Sequence, residues 1–275
     1  MVTSFVVVPQ WQGSGSARAM RLVDGAKAIG ADLPSTRTHA VPVPLEAGDA
    51  LGTRVHRLSS LTEIRNRHRR VLADADGSVV TIGGDCGVEL AAIDHALLRH
   101  PDAAILWFDA HPDLNTPESS PSGAFGGMVL RTLLGDGPAE LLPERTASVE
   151  RLALLGVRDI DPEEKAFIDA HALPTIPADG LVAEQVVERV AAMDVTSVYI
   201  HIDLDVLDLG EITGLTAPQP FGMQTSALLE VVRALTAKFE VAGAGIASFA
   251  PASAEQSADD MPTLLRLIGA LTRRD

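Results

Sequence analysis

Cysteine is almost missing from this 275-residue chain: Cys86 stands alone. No intramolecular disulfide can form, and a lone thiol fits a reducing compartment. Basic residues are outnumbered, 22 lysines and arginines against 37 aspartates and glutamates, for a formal net charge of −15. That balance excludes non-specific nucleic-acid binding, which needs a basic surface. No apolar run approaches the length that spans a bilayer. The opening Met1-Val2-Thr3-Ser4-Phe5 lacks the basic start and long apolar core of a secretion signal. These absences set the expectation of a soluble, cytoplasmic protein with neither a nucleic-acid nor a membrane partner. Nucleotide loops are missing too. Gly13-Ser14-Gly15-Ser16 has no G-x-G-x-x-G pattern and no Walker lysine, and reads as a loop whose Ser16 caps the next helix.

What is present is a large apolar complement, 46% of residues, enough for a sizeable core. No repeat, low-complexity tract or composition shift marks a boundary, so residues 1–275 are expected to form one domain. Short β-rich runs alternate with helical patterns. The strands are expected at Ser4–Val8, Thr38–Val43, Ser78–Gly83, Ala103–Asp109, Arg151–Val157, Leu173–Ile176, Ser197–Asp203 and Ala242–Phe249. Helical periodicity covers Ala17–Ile29, Leu61–Ala73, Val88–Leu98, Gln185–Ala192, Thr225–Lys238 and Met261–Leu271. Several strands are apolar on both faces, as parallel strands covered on both sides must be. The pattern implies a three-layer α/β/α fold around a mostly parallel, roughly eight-stranded sheet. A closed barrel is the alternative that periodicity leaves open.

The chemistry sits at two strand ends. In Trp107-Phe108-Asp109-Ala110-His111-Pro112-Asp113, Asp109, His111 and Asp113 recur at every second position after an apolar run. Extended backbone puts alternate side chains on one face. The stretch Tyr199-Ile200-His201-Ile202-Asp203-Leu204-Asp205 repeats the design. Three ionisable groups beside a buried strand are costly unless a cation neutralises them. Carboxylates with an imidazole suit Mn²⁺, Mg²⁺ or Zn²⁺. Four aspartates and a histidine suffice for two divalent ions, which can hold a water between them and make it hydroxide-like near neutral pH. His201 shares this face but lies roughly 6.6 Å deeper along the strand, which points to a hydrogen bond with an aspartate, or to a satisfied core histidine, rather than to a direct ligand.

With these residues in place, the chain resembles the arginase/agmatinase/formiminoglutamase superfamily, the ureohydrolases, from about Val80 to Pro251. Gly83-Gly84-Asp85, Asp109-Ala110-His111-Pro112-Asp113 and Asp203-Leu204-Asp205-Val206-Leu207-Asp208 are similar to three signature blocks in the expected order. The resemblance implies an arginase-like fold, a Mn²⁺ pair, a small-molecule substrate and a homo-oligomer, trimeric or hexameric. One ion in place of two, or Zn²⁺ or Ni²⁺ in place of Mn²⁺, is the alternative. It makes Asp109 and Asp203 bridging ligands, assigns Asp113 to one metal, and assigns His111 and Asp205 to the other. It also implies that Asp161, with Asp159 and Glu164 near it, faces a substrate α-amino group, and that Asn115 and Ser122 bind the α-carboxylate. The competing reading of the same acids is a cap on a helix starting at Pro162.

Three positions depart from the family pattern. Cys86 follows Gly-Gly-Asp where a histidine ligand is usual. It is either a softer thiolate donor that favours Zn²⁺ or Fe²⁺, or a small buried residue that binds nothing. Gly126 stands where arginases place a proton-shuttling histidine. Ser248 stands where the family has a glutamate that pairs with the guanidinium, and offers only a neutral hydrogen bond. The implied function is a metal-dependent hydrolase of a non-peptide C–N bond, using metal-activated hydroxide held by Asp109 and Asp203, with Asp205 or a water as proton acceptor. The amino-acid end is kept, and the reacting end is rebuilt away from ordinary arginase activity. The rival reading is a non-catalytic or regulatory protein of the same fold with partial or no metal.

Overall fold

In the computed structural model the described residues are 3–272. Strands and helices alternate along the chain as β1 (Thr3–Val8), α1 (Arg21–Ala31), β2 (Thr38–Ala40), α2 (Leu58–Ala73), β3 (Ser78–Gly83), α3 (Glu89–Arg99), β4 (Ala104–Phe108), α4 (Val129–Leu133), β5 (Leu152–Leu155), α5 (Pro162–His171), β6 (Thr175–Ile176), α6 (Ala183–Ala191), β7 (Ser197–Asp203), α7 (Thr225–Lys238), β8 (Glu240–Ala247) and α8 (Ala254–Thr272). The strands form one parallel sheet in the order β2-β1-β3-β8-β7-β4-β5-β6. The short strands β2 and β6 are open edges, so the sheet does not close into a barrel.

The strand sequences explain the layers. Along β4, Ala104, Leu106 and Phe108 enter one core with side chains of α1, α6, α7 and α8. Ile105 and Trp107 enter the other, with α2, α3, α4 and α5. Both faces are apolar because both are covered by helices. The chain passes from β3 to β4 across a gap that β8 and β7 fill later. The four central strands therefore bring residues remote in sequence to one carboxyl edge, the place where open α/β sheets bind ligands.

Helix boundaries differ from the sequence expectation where turns intervene. Ala17–Met20 form turns before α1, and Ser16 Oγ accepts the Arg18 N–H within that turn rather than capping the helix. α8 begins seven residues ahead of Met261 and carries Pro262 inside it. The short α4 carried no periodic signal. At α5 the capping reading holds: Asp161 and Glu164 form a capping box around Pro162. Among the described residues, no helix is long and apolar enough to cross a membrane.

Candidate metal centre

Strict alternation fails at both strand ends, and the failure shapes the site. β4 stops at Phe108, although the Asp109 N–H still donates to the Leu155 carbonyl at 3.1 Å. Beyond it the chain bends, and Asp113 is left-handed at φ 51°. β7 stops at Asp203, whose side chain accepts the Asp205 N–H at 2.9 Å and starts a 3-10 turn over Leu204–Val206. That turn sets the Asp205 carboxylate beside His111. Two groups of donors result. In one, atoms of Cys86, Asp109, His201 and Asp203 all lie within 4.8 Å of one another; in the other, so do atoms of Asp109, His111 and Asp205. Asp109 belongs to both. Asp113 lines the same cavity but belongs to neither.

The sequence placed His201 too deep for either group. Its Cα is two residues down the strand, but the imidazole is long, and Asp109 at the end of the neighbouring strand lies 3.7 Å from Nε2. The first group is wholly buried, whereas His111 in the second is about 30% exposed. His111 Nδ1 stands 3.0 Å from Asp205 Oδ2 and 3.3 Å from Asp109 Oδ1. The Cys86 thiol donates to Asp203 Oδ2 at 2.8 Å, and the Ser248 hydroxyl donates to the same oxygen.

Electrostatics mark the centre as short of positive charge. Burial raises the pKa of Asp113, Asp203 and Asp205, and the neighbouring carboxylates, Asp109 chief among them for Asp113 and Asp203, push the same way. Burial also raises Cys86, helped by Asp203. For Asp109 burial would do the same, but His111 and His201 outweigh it and lower its pKa. Burial would depress His201, yet Asp109 and Glu89 raise it to about 10. Asp109 Oδ2, Asp113 Oδ2 and both His201 ring nitrogens are buried without a hydrogen-bond partner among the described residues. Buried polar atoms are almost always satisfied, so these unpartnered atoms suit a site that holds a cation. The donor chemistry fits divalent ions of the Mn²⁺ to Zn²⁺ range.

The centre opens into two connected chambers. The inner one, about 120 Å³, is walled by the donors together with Gly126 and Ser248. The outer one, about 400 Å³, is lined by His111, Asn115, Ser122, Asp159, Asp161 and Glu164 among others. Here the Asn115 amide donates to Asp161 Oδ2 at 2.8 Å. Glu164 accepts the Leu114 and Asp161 N–H groups, each at 2.9 Å, so its carboxylate is occupied in holding the wall. Gly126 donates its N–H to the Gly13 carbonyl at 2.9 Å, closing the inner chamber with backbone.

Several contributors had no role assigned from the sequence. Asp85 accepts from Gln10 Nε2, Gly13 N and Gly87 N at 2.8–2.9 Å, tying the Gly13–Ser16 loop over the site. Arg158 donates to the Asp205 and Gln219 carbonyls at 2.6 and 2.9 Å, pinning the loop beyond Ala217. Glu89, fully buried, accepts the Tyr199 hydroxyl at 2.7 Å and lies 3.6 Å from His201 Nδ1. A glutamate inside the apolar run Val88-Glu89-Leu90-Ala91-Ala92 was its one sequence signal.

An open parallel α/β sheet with a carboxylate-rich, metal-competent centre at its carboxyl edge is the class that fold and site define. A sequence model of the Arginase family matches residues 18–267, and the chain belongs to that family. It is 34% identical over 144 residues to an arginase of Staphylococcus aureus, a match covering 49% of this chain and 48% of that protein. The chain thus spans about half the length of the first curated relatives it matches. It is 33% identical over 199 residues to the N(omega)-hydroxy-L-arginine amidinohydrolase of Streptomyces lavendulae, covering 70% of this chain and 68% of the other. The solved arginase of Entamoeba histolytica, in complex with L-ornithine, superposes with a TM-score of 0.86 over 98% of this chain and 97% of that one. At 23% identity that last likeness is one of fold.

Proposed function

We propose that residues 1–275 form one metal-dependent hydrolase domain, acting on a non-peptide C–N bond of an amino-acid-like substrate whose reacting end is less basic than a guanidinium. The observation that carries this reading is the single carboxylate, Asp109, common to two donor groups. A carboxylate so placed suits a pair of divalent cations, with Asp203 on the buried side and His111 and Asp205 on the half-open side. A bound pair, Mn²⁺ by family resemblance, supplies Lewis acidity and brings the pKa of a coordinated water toward neutrality.

The chain's own groups do the rest. Asp205 Oδ2, beside His111 Nδ1, accepts the proton that the attacking water loses. Asn115, Ser122, Asp159 and Asp161 in the outer chamber hold the amino-acid head, with the acids toward its ammonium. At the reacting end, Ser248 turns its hydroxyl to Asp203 and offers no negative charge. Losing a buried carboxylate partner for a cation costs on the order of several kcal/mol of binding. Gly126 has no side chain with which to protonate a leaving nitrogen. Both features favour a reacting group that is neutral, or sheds its proton readily, over arginine or agmatine. An N-hydroxyguanidine meets that condition, because its oxygen withdraws electrons from the guanidine, and one relative is named for such a substrate.

The test is to dialyse the protein against Mn²⁺, Zn²⁺ and Ni²⁺ separately and count ions per chain. Release of urea-type product or amine is then assayed from arginine, agmatine, N(omega)-hydroxyarginine, and formimino and ureido amino acids. The expected result is two ions and turnover confined to the less basic substrates. Hydrolysis of arginine as fast as of its N-hydroxy form overturns the substrate assignment. Folded protein that binds no ion overturns the hydrolase and leaves a regulatory protein of the same fold.

A further inference from the structure

We infer that His201 and Cys86 are direct metal donors, that with Asp109 and Asp203 they form a buried sulfur–nitrogen–oxygen site selecting a softer ion than the His111–Asp205 site, and that Glu89 positions His201 for this role. The inference rests on the two-ion reading above and deepens it.

His201 is inaccessible to solvent and stacks on Trp107, ring centroids 3.7 Å apart. A core histidine would normally have both nitrogens satisfied. Here neither has a hydrogen-bond partner among the described residues. Nδ1 stands 3.6 Å from Glu89 and Nε2 stands 3.7 Å from Asp109, both beyond hydrogen-bond length. The imidazole is thus held between two carboxylates without settling on either. One of its ring nitrogens falls within the 4.8 Å group of Cys86, Asp109 and Asp203, and Nε2 is the one on the Asp109 side.

The surroundings are arranged for that orientation. Metal-bound histidines usually direct their second nitrogen to a carboxylate, which fixes ring and tautomer. Glu89 stands on that side, itself fixed by the Tyr199 hydroxyl. Room for its carboxylate comes from Gly245, the β8 partner of His201, where an added Cβ would lie 1.9 Å from Glu89 Oε1. A thiol, an imidazole and two carboxylates make a donor set suited to Zn²⁺, Co²⁺ or Fe²⁺. One imidazole with two carboxylates, half open to solvent, suits Mn²⁺ equally well.

Cobalt is the probe, read by absorption and by ion counting without reference to turnover. Co²⁺ added to the metal-free protein should give a near-ultraviolet thiolate-to-cobalt band with the first equivalent. Cys86→Ser should abolish that band while one ion is still bound. His201→Gln and Glu89→Gln, checked for folding by thermal melts, should each weaken the band-forming ion at least 10-fold, in line with the 10–100-fold that supporting residues command. Both should leave the second ion's affinity unchanged. His111→Ala should do the reverse, sparing the band. Two bound ions without a thiolate band, or wild-type affinity in His201→Gln, overturns the inference and leaves the paired-ion hydrolase standing. Binding of no ion in any form overturns both.

Discussion

Replacing Gly245 by alanine probes the tightest packing beneath the centre. An ideal Cβ there would lie 1.9 Å from Glu89 Oε1 and 2.4 Å from both Cδ and Oε2. The backbone cannot retreat easily, because Gly245 pairs with Thr81 on one side and His201 on the other. The Glu89 carboxylate must move instead and give up the Tyr199 hydroxyl. Overpacking of this kind costs about 1–3 kcal/mol. A charge-assisted hydrogen bond lost in the interior adds about 1.5–3 kcal/mol. The variant should therefore lose about 2.5–6 kcal/mol, a large part of the roughly 5–15 kcal/mol that holds a typical domain folded. Urea unfolding in EDTA reads the loss, with the m-value unchanged if both proteins unfold alike. The mechanism is isolated by adding Glu89→Ala, which removes the obstruction. Each single change is damaging, but the double variant should cost about 2–3 kcal/mol less than their sum. A loss below about 1 kcal/mol, or strict additivity, would refute the steric argument.

Two further perturbations test parts of the fold outside the two donor groups. Burial depresses the His68 pKa to about 3, with His95 helping and a bond to the Val88 backbone opposing. The unfolded chain takes up this proton near pH 6.5 and the folded chain does not, so stability is full above pH 6.5 and drains as pH falls toward 3. The loss should reach about 3 kcal/mol by pH 4, and His68→Gln should flatten the urea-midpoint profile between pH 7 and 4; parallel profiles would count against it. Glu164→Ala leaves the Leu114 and Asp161 N–H groups without their acceptor and should cost about 2 kcal/mol. Glu164→Gln keeps only one of the two acceptor oxygens, because Leu114 and Asp161 bond to different ones, and should recover at most about half of that loss in the same assay.

The eight strands were legible because parallel strands covered on both faces must be short, mostly apolar and buried, as Ser78–Gly83 and Ser197–Asp203 are. The acids after β4 and β7 were legible for a related reason: charge beside such a run needs a purpose. Sequence order could not show that β8 and β7 are inserted between β3 and β4, and that insertion decides which side chains meet. Alternation put Asp109, His111 and Asp113 on one face, and likewise His201, Asp203 and Asp205. The tertiary structure redistributed them, because a strand's two-residue period ends with its hydrogen bonds. The left-handed Asp113 turns out of both donor groups, and the 3-10 turn after Asp203 hands Asp205 to His111. The link between Glu89 and Gly245 was hidden for a different reason. A buried carboxylate and the space it fills are separated by more than 150 residues, and only the pairing of β7 with β8 makes one explain the other.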